Sequence, residues 1–193
     1  SNATVVSIDE LFSKDIGPGN CLIDAWVRKN SEKKYDHGGY LASIGEKNEI
    51  IFEQAQELYY NRNKEKKSFD TNDFDISFSR GLSLEDGTTT LTEFTGSIIA
   101  ETISLLAKNG KTFNNIIICG GGRKNKVLMD VIQKNLTLKT KINMIDDYGI
   151  NGDFVESKAF AFLAIRSYKK LPITFPSTTN CNEPCTGGKI IEN

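Results

Sequence analysis

Apolar residues recur along this chain at two different spacings, and the changes between them mark out its elements. "TTTLTEFTGSIIAETISLLAKNG", from Thr88, sets Leu91, Phe94, Ile98, Ile99, Thr102, Leu105 and Leu106 on one stripe. That is the repeat of a helix with one buried face. Thr88, Thr89 and Thr90 offer N-caps for it and Asn109-Gly110 a C-cap. A helix is likewise expected over Tyr40–Tyr60, with Leu41, Ile44, Ile51, Phe52, Ala55 and Leu58 inward. In "NKVLMDVIQKNL", Val127, Leu128, Val131 and Ile132 share a face. "GDFVESKAFAFLAIRSYKK" (Gly152–Lys170) reads as a long, mostly buried helix, with Asp153 near its N-terminus and Arg166, Lys169 and Lys170 at its C-terminal end. Two short β-branched or apolar runs, "NNIIIC" (Asn114–Cys119) and "KTKINMID" (Lys139–Asp146), read as strands. Asn61–Glu85 is polar and reads as an irregular connection, and the prolines after Leu171 predict extended coil. Helices outweigh strands, and helices separate the strands, which predicts a helix-rich α/β fold with some parallel pairing in a small sheet.

Composition narrows the class. With 193 residues, 38% of them hydrophobic and 25% charged, the chain has the make-up of a soluble globular protein. A formal net charge of −1 gives no basic footprint for nucleic acid. No run approaches the about 18 apolar residues of a membrane span. Ser1-Asn2-Ala3 reads as a cloning remnant with no signal peptide after it. Cys21 and Cys119 sit in apolar stretches and are expected to be buried free thiols, while Cys181 and Cys185 lack the second pair that zinc needs. A reducing cytoplasm fits this usage.

Three glycine-bearing stretches are candidates for chemistry. In "DIGPGN" (Asp15–Asn20), Gly17 and Gly19 free the backbone, Pro18 stiffens it, and "NCLIDAWVRKN" continues as a helix. Such a turn can present N–H groups and a helix N-terminus to an anion, with Asp15 placed to bind Mg²⁺ or take a proton. It can equally be a plain tight turn with an Asp cap. "GGGRKN" (Gly120–Asn125) follows the first predicted strand. It lacks the spacing of a dinucleotide fingerprint and the ending of a P-loop. Three bare backbones could let a flat ring lie against the chain, with Arg123 or Asn125 nearby, or could serve close strand–helix packing. In "GINGDFVES" (Gly149–Ser157), Glu156 falls in the first turn of the last long helix, near any ligand at that end or simply complementing the helix dipole. Asp146-Asp147 could touch metal or ribose, or be solvated. His37, the only histidine, receives no catalytic role.

Taken in order, these stretches resemble the anhydro-N-acetylmuramic acid kinases, within the sugar kinase/Hsp70/actin ATPase superfamily. "DIGPGNCLIDAW" is similar to the family's phosphate-contacting turn, "KSFDTNDFD" (Lys67–Asp75) to its mid-domain signature, and "LSLEDGTTTLTEFT" to the entry of its long helix. "IIICGGGRKNKVLM" resembles the adenosine-side glycine segment, and "GINGDFVESKAFAFLAIRSYKKLPITFPSTTN" with the later "TGG" resembles the C-terminal signature.

The resemblance implies the C-terminal lobe of an actin-like (RNase H-like) ATPase fold over residues 15–193, with residues 1–14 outside it. It implies ATP and Mg²⁺ as cofactors: Gly120, Gly121 and Gly122, with Arg123 and Asn125, on the adenosine side, and Gly17, Gly19 and Asn20 on the phosphate side. It implies transfer of the γ-phosphoryl group to the sugar 6-oxygen while water opens the 1,6-anhydro ring, in peptidoglycan recycling. Asp15 aligns with the base that activates this water, and Glu156 with a carboxylate near the sugar. The turn departs from the family in reading Lys14-Asp15-Ile16, where an apolar residue usually precedes the Asp and Thr often follows. No GTSxDG turn of an N-terminal lobe occurs here. The expected partners are therefore sugar, ATP and the N-terminal kinase lobe, on the same or another chain, and the apolar helices could supply a homodimer interface. Alone, the chain is expected to be inactive. The alternative is a degenerate lobe that binds nucleotide or a partner without catalysis.

Overall fold

A computed structural model describes residues 1–8, 11–63, 74–108, 113–137, 139–179 and 181–191. Its centre is the helix α4, Leu84–Lys108. Against it pack α1 (Cys21–Asn30), α2 (Tyr40–Ile44), α3 (Glu49–Asn63) and α5 (Lys126–Asn135). The predicted stripe explains this arrangement. Leu91, Phe94, Ile98 and Ile99 are all buried, and they divide between two apolar clusters. One cluster gathers Leu22, Ile23 and Trp26 of α1 with Ala55 of α3. The other joins Ile99 and Ile103 to Leu128, Met129 and Ile132 of α5 and to Ile16. Each buried Leu, Ile, Met or Phe side chain among them stabilises the fold by about 1.5–3 kcal/mol relative to exposure. Two glycines of α4 let its neighbours approach: a methyl on Gly87 would lie 2.3 Å from the Trp26 ring, and one on Gly96 2.5 Å from Val131 Cγ1.

The start of α4 lies earlier than expected. Ser83 Oγ accepts from the Asp86 N–H, and Thr88, Thr89 and Thr90 lie inside the helix and are buried. Thr88 and Thr89 each donate to the carbonyl four residues back, which removes the cost of burying their hydroxyls. The expected C-cap at Asn109-Gly110 lies outside the described residues. The single helix expected over Tyr40–Tyr60 is two, broken at Gly45. There the chain backs onto α4 so closely that a methyl would lie 2.3 Å from the Glu85 carbonyl carbon. Ile44 and Leu58, expected inward, are exposed. Leu105, on the far part of the α4 stripe, is exposed as well.

Both predicted strands exist as short segments, β3 (Ile116–Ile118) and β4 (Ile142–Met144), paired in parallel with Ile116 opposite Ile142. A hairpin not foreseen from the sequence precedes them: β1 (Asn2–Val6) and β2 (Leu11–Asp15) are antiparallel, with Asn2 opposite Asp15. Among the described residues β3 and β4 are the third and fourth strands in the chain, the four strands form two two-stranded sheets, and the fold is a helix-rich mixed α/β one. The hairpin runs across the boundary expected at residue 15, and Ile16 N–H donates to the Ser1 carbonyl.

The last long helix, α6 (Val155–Tyr168), differs most from expectation. None of its residues is buried; Phe160 is 65% and Phe162 59% exposed. The coil predicted beyond Leu171 contains a short helix, α7 (Pro176–Thr179), lying by β2, and a bridge between Thr174 and Cys185. Cys21 is only half-buried and Cys119 is exposed, against the expectation of two buried thiols; all four cysteines are free. No helix among the described residues is long and apolar enough to cross a membrane.

Candidate functional site

The turn after β2 is fixed at both ends. Asp15 closes the strand, half-buried, and Ile16 is anchored in the core beside Ile99 and Ile103. A methyl on Gly17 would stand 3.2 Å from Ile98 Cγ2, so the turn lies directly on α4. Gly19, at φ 60°, takes the left-handed conformation that redirects the chain into α1. Asn20 occupies the N-cap position of α1 but makes no capping hydrogen bond. Its Oδ1 is buried and without a partner.

The second bend follows β3. Gly120, at φ 81°, is left-handed, and Gly121–Lys124 forms a single 3₁₀ turn. The two bends meet: a methyl on Gly122 would lie 3.5 Å from Asn20 Oδ1 and 3.8 Å from Asn20 Nδ2. Gly121 is different from its neighbours. It is exposed, its φ is not left-handed, and a methyl there would find nothing within 4 Å. Close strand–helix packing therefore does not account for the missing side chain at Gly121.

A third bend, His37–Gly39, joins them, unforeseen from the sequence. It touches the Gly121–Lys124 turn and the start of α5, where a methyl on Gly39 would sit 2.4 Å from Asn125 Oδ1. Asp36 shapes it: the buried carboxylate accepts from the N–H groups of Leu41 (2.8 Å) and Ala42 (3.1 Å). The signal available in the sequence was the Gly38-Gly39 pair beside an Asp, in the stretch where only the histidine drew attention.

Asn125 caps α5, its Oδ1 accepting from the Leu128 N–H at 3.0 Å. Arg123 is engaged on every side. Its Nε and Nη2 donate to the two oxygens of Asp146 (2.6 and 3.0 Å), and Nη1 donates to Asp153 Oδ1 (2.8 Å) and to the Gly120 carbonyl (2.9 Å). Lys124 Nζ reaches the other Asp153 oxygen at 2.6 Å. The Arg123 hydrogen bonds hold the Asp146 carboxyl down at about 2, from an ordinary 3.8, and bonds from Lys124 and Arg123 depress Asp153. Those two carboxylates raise the guanidinium further still. Asp147 accepts from the Met144 N–H and holds the end of β4. Glu156 stands exposed in the first turn of α6.

Elsewhere, burial raises the Asp24 carboxyl in the first turn of α1, opposed by Arg28. A concavity on the α3–α4–α5 face, lined among others by Lys47, Phe52, Glu93 and Lys134, contains none of the candidate residues. Of the Lys67–Asp75 signature, only Phe74 and Asp75 fall within the described residues.

Comparison with known proteins adds an independent finding. The family model described as anhydro-N-acetylmuramic acid kinase matches residues 1–193, taking in the first fourteen residues that sequence reading set apart. A curated protein of that name from Pelagibacter ubique (strain HTCC1062) is 47% identical over 188 residues, 96% of this chain and 50% of the relative. Relatives of the same name from Zymomonas mobilis and Agrobacterium fabrum are each 36% identical, across 98% and 94% of this chain and 51% and 48% of their own lengths. The chain spans about half the length of the curated relatives it matches.

Proposed function

Because the chain belongs to the anhydro-N-acetylmuramic acid kinase family, we propose that it is the nucleotide-holding C-terminal lobe of an ATP-dependent kinase acting on that sugar, built as an actin-like lobe. The observation that carries this reading is Gly121: an open, unstrained position beside two other glycines, where nothing in the described chain uses the missing side chain. A flat purine laid against Gly120–Gly122 would use it. The phosphates would then run toward Gly17, Gly19 and the start of α1, which lacks a side-chain cap and where the helix dipole favours negative charge. Asn20, half-buried and with its Oδ1 buried and unpartnered where the two bends meet, is placed to read a ligand that touches both.

Asp15 closes β2 at the phosphate bend, and we assign it the base. It takes a proton from water as the water oxygen bonds to the anomeric carbon. The bond from that carbon to O6 breaks, and O6 bonds to the γ-phosphorus as the β–γ bridge opens and ADP leaves. Glu156, at the head of α6, would stand on the sugar side. Among the described residues no three His, Cys, Asp or Glu side chains gather to hold a metal. Mg²⁺ on transferring phosphates ordinarily needs only one or two carboxylates and otherwise takes phosphate oxygens and water; with Asp15 spent as the base, the cation would be carried chiefly by the nucleotide's own phosphates. The cation would neutralise phosphate charge, and positioning would supply most of the rate.

The lobe alone is expected to turn over no sugar. Supplied with the complementary half of a relative, it should do so, and Asp15→Asn should abolish turnover while leaving ATP binding intact. Turnover retained by Asp15→Asn would remove the base from this residue.

A further inference from the structure

We propose that Arg123 is a positioning residue that clasps the glycine bend to the lead-in of α6, so that a ligand on the bend fixes the direction of the helix bearing Glu156. This rests on the reading of that bend as the nucleotide site. The side chain is 7% exposed and spends its donors on three groups: Asp146 after β4, Asp153 before α6, and the Gly120 carbonyl within the bend itself. Backbone joins the same two segments, Gly120 N–H donating to the Gly152 carbonyl at 3.3 Å. Gly152 is buried, and a methyl there would fall 2.4 Å from Arg123 Nε and 2.6 Å from Cζ. The guanidinium thus lies on bare backbone, and its arms cross to segments 23 and 30 residues away in sequence.

The clasp matters because packing does so little for α6. No residue of that helix is buried. The end of α6 that bears Glu156 is therefore held chiefly through the two residues that lead into it, Gly152 and Asp153. Its far end is tied to the C-terminal segment, Arg166 Nε donating to the Pro172 carbonyl and Ser167 Oγ to the Gly187 carbonyl. Gly152 N–H donates to Asp146 Oδ1, the oxygen that also accepts from Arg123 Nη2. A planar fork with two fixed carboxylates specifies an angle, which a single flexible ammonium does not.

Hydrogen exchange on the whole chain, with and without ATP·Mg²⁺, tests this. In the ligand-free chain, Arg123→Gln should speed exchange of the Gly152 amide by about fivefold or more, the low end of ordinary coupling. Unchanged rates there would overturn the clasp, whatever the nucleotide does. With ATP, the unaltered chain should be protected both at residues 119–124 and at residues 152–157. Asp153→Asn, which leaves Arg123 and its bond to the Gly120 carbonyl in place, should keep the first protection and lose the second. If it transmits protection like the unaltered chain, the inference fails even though the nucleotide reading stands. Absence of protection at residues 119–124 in the unaltered chain would overturn the nucleotide reading and the transmission with it, and the ligand-free rates would judge the clasp separately. Asp153→Asn guards against a fold defect specific to losing the arginine.

Discussion

Gly121→Ala separates a ligand-facing glycine from a packing glycine at the cost of a single methyl group. Within the chain the methyl meets nothing within 4 Å, and the backbone angle is one that alanine accepts. The folded state should be undisturbed, and the unfolded chain loses freedom, so stability should rise by about 0.4–1 kcal/mol. At this chain length each kcal/mol moves Tm by about 2–4 °C, so the midpoint should hold or climb slightly. Binding should move the other way. A methyl under a flat ring lifts the ring from the backbone, and a gap of about 0.5–1 Å already forfeits a quarter to a half of each dispersion contact. Over a purine face we expect a loss of about 1.4 kcal/mol or more, a tenfold weaker Kd. Differential scanning calorimetry and calorimetric titration with ATP read the two effects on one sample. A lowered Tm with unchanged affinity would refute the reasoning, because it would mean that the glycine serves contacts inside the fold.

Two further outcomes follow from the same geometry. Asp146 is held below its ordinary 3.8 by Arg123, so the clasp's contribution is complete above the ordinary value and disappears as pH falls through about 2; carboxyl NMR should give a midpoint near there, and a midpoint near 4 would contradict the bidentate geometry. Phe162 is exposed on α6, so Phe162→Ser should change the stability of the isolated chain by no more than about 0.5 kcal/mol; a large fall in Tm would mean that α6 is packed in solution.

Local periodicity made much of the frame legible. The stripe through Leu91, Phe94, Ile98 and Ile99 and the shorter one through Leu128, Val131 and Ile132 each repeat over several turns, and those faces are buried. The parallel pairing of β3 with β4 followed from the helix between them. What escaped depends on contacts distant in sequence. Gly45 breaks the expected helix because Glu85 and Thr89, some forty residues on, press against its backbone. Buried threonines looked like caps because their hydroxyls are satisfied by carbonyls that only the folded helix supplies. The apolar composition of α6 records that the helix suits a cover, but composition does not say that the cover lies within this chain. In the site, the glycines of the two main bends were visible as motifs, whereas their meeting at Asn20 and Gly122 was not. Arg123 reads from sequence as a ligand contact, yet its donors are taken by Asp146, Asp153 and Gly120, all placed by the fold.

The claim on which the account turns is that a purine lies on the bend Gly120–Gly122. Photolabelling with 8-azido-ATP, followed by tryptic mapping, tests it most directly. The account predicts that label collects on the peptide Thr112–Arg123, which contains all three glycines, and that excess ATP suppresses it. Labelling spread over the α3–α4–α5 face, or labelling of that peptide indifferent to ATP, would contradict it.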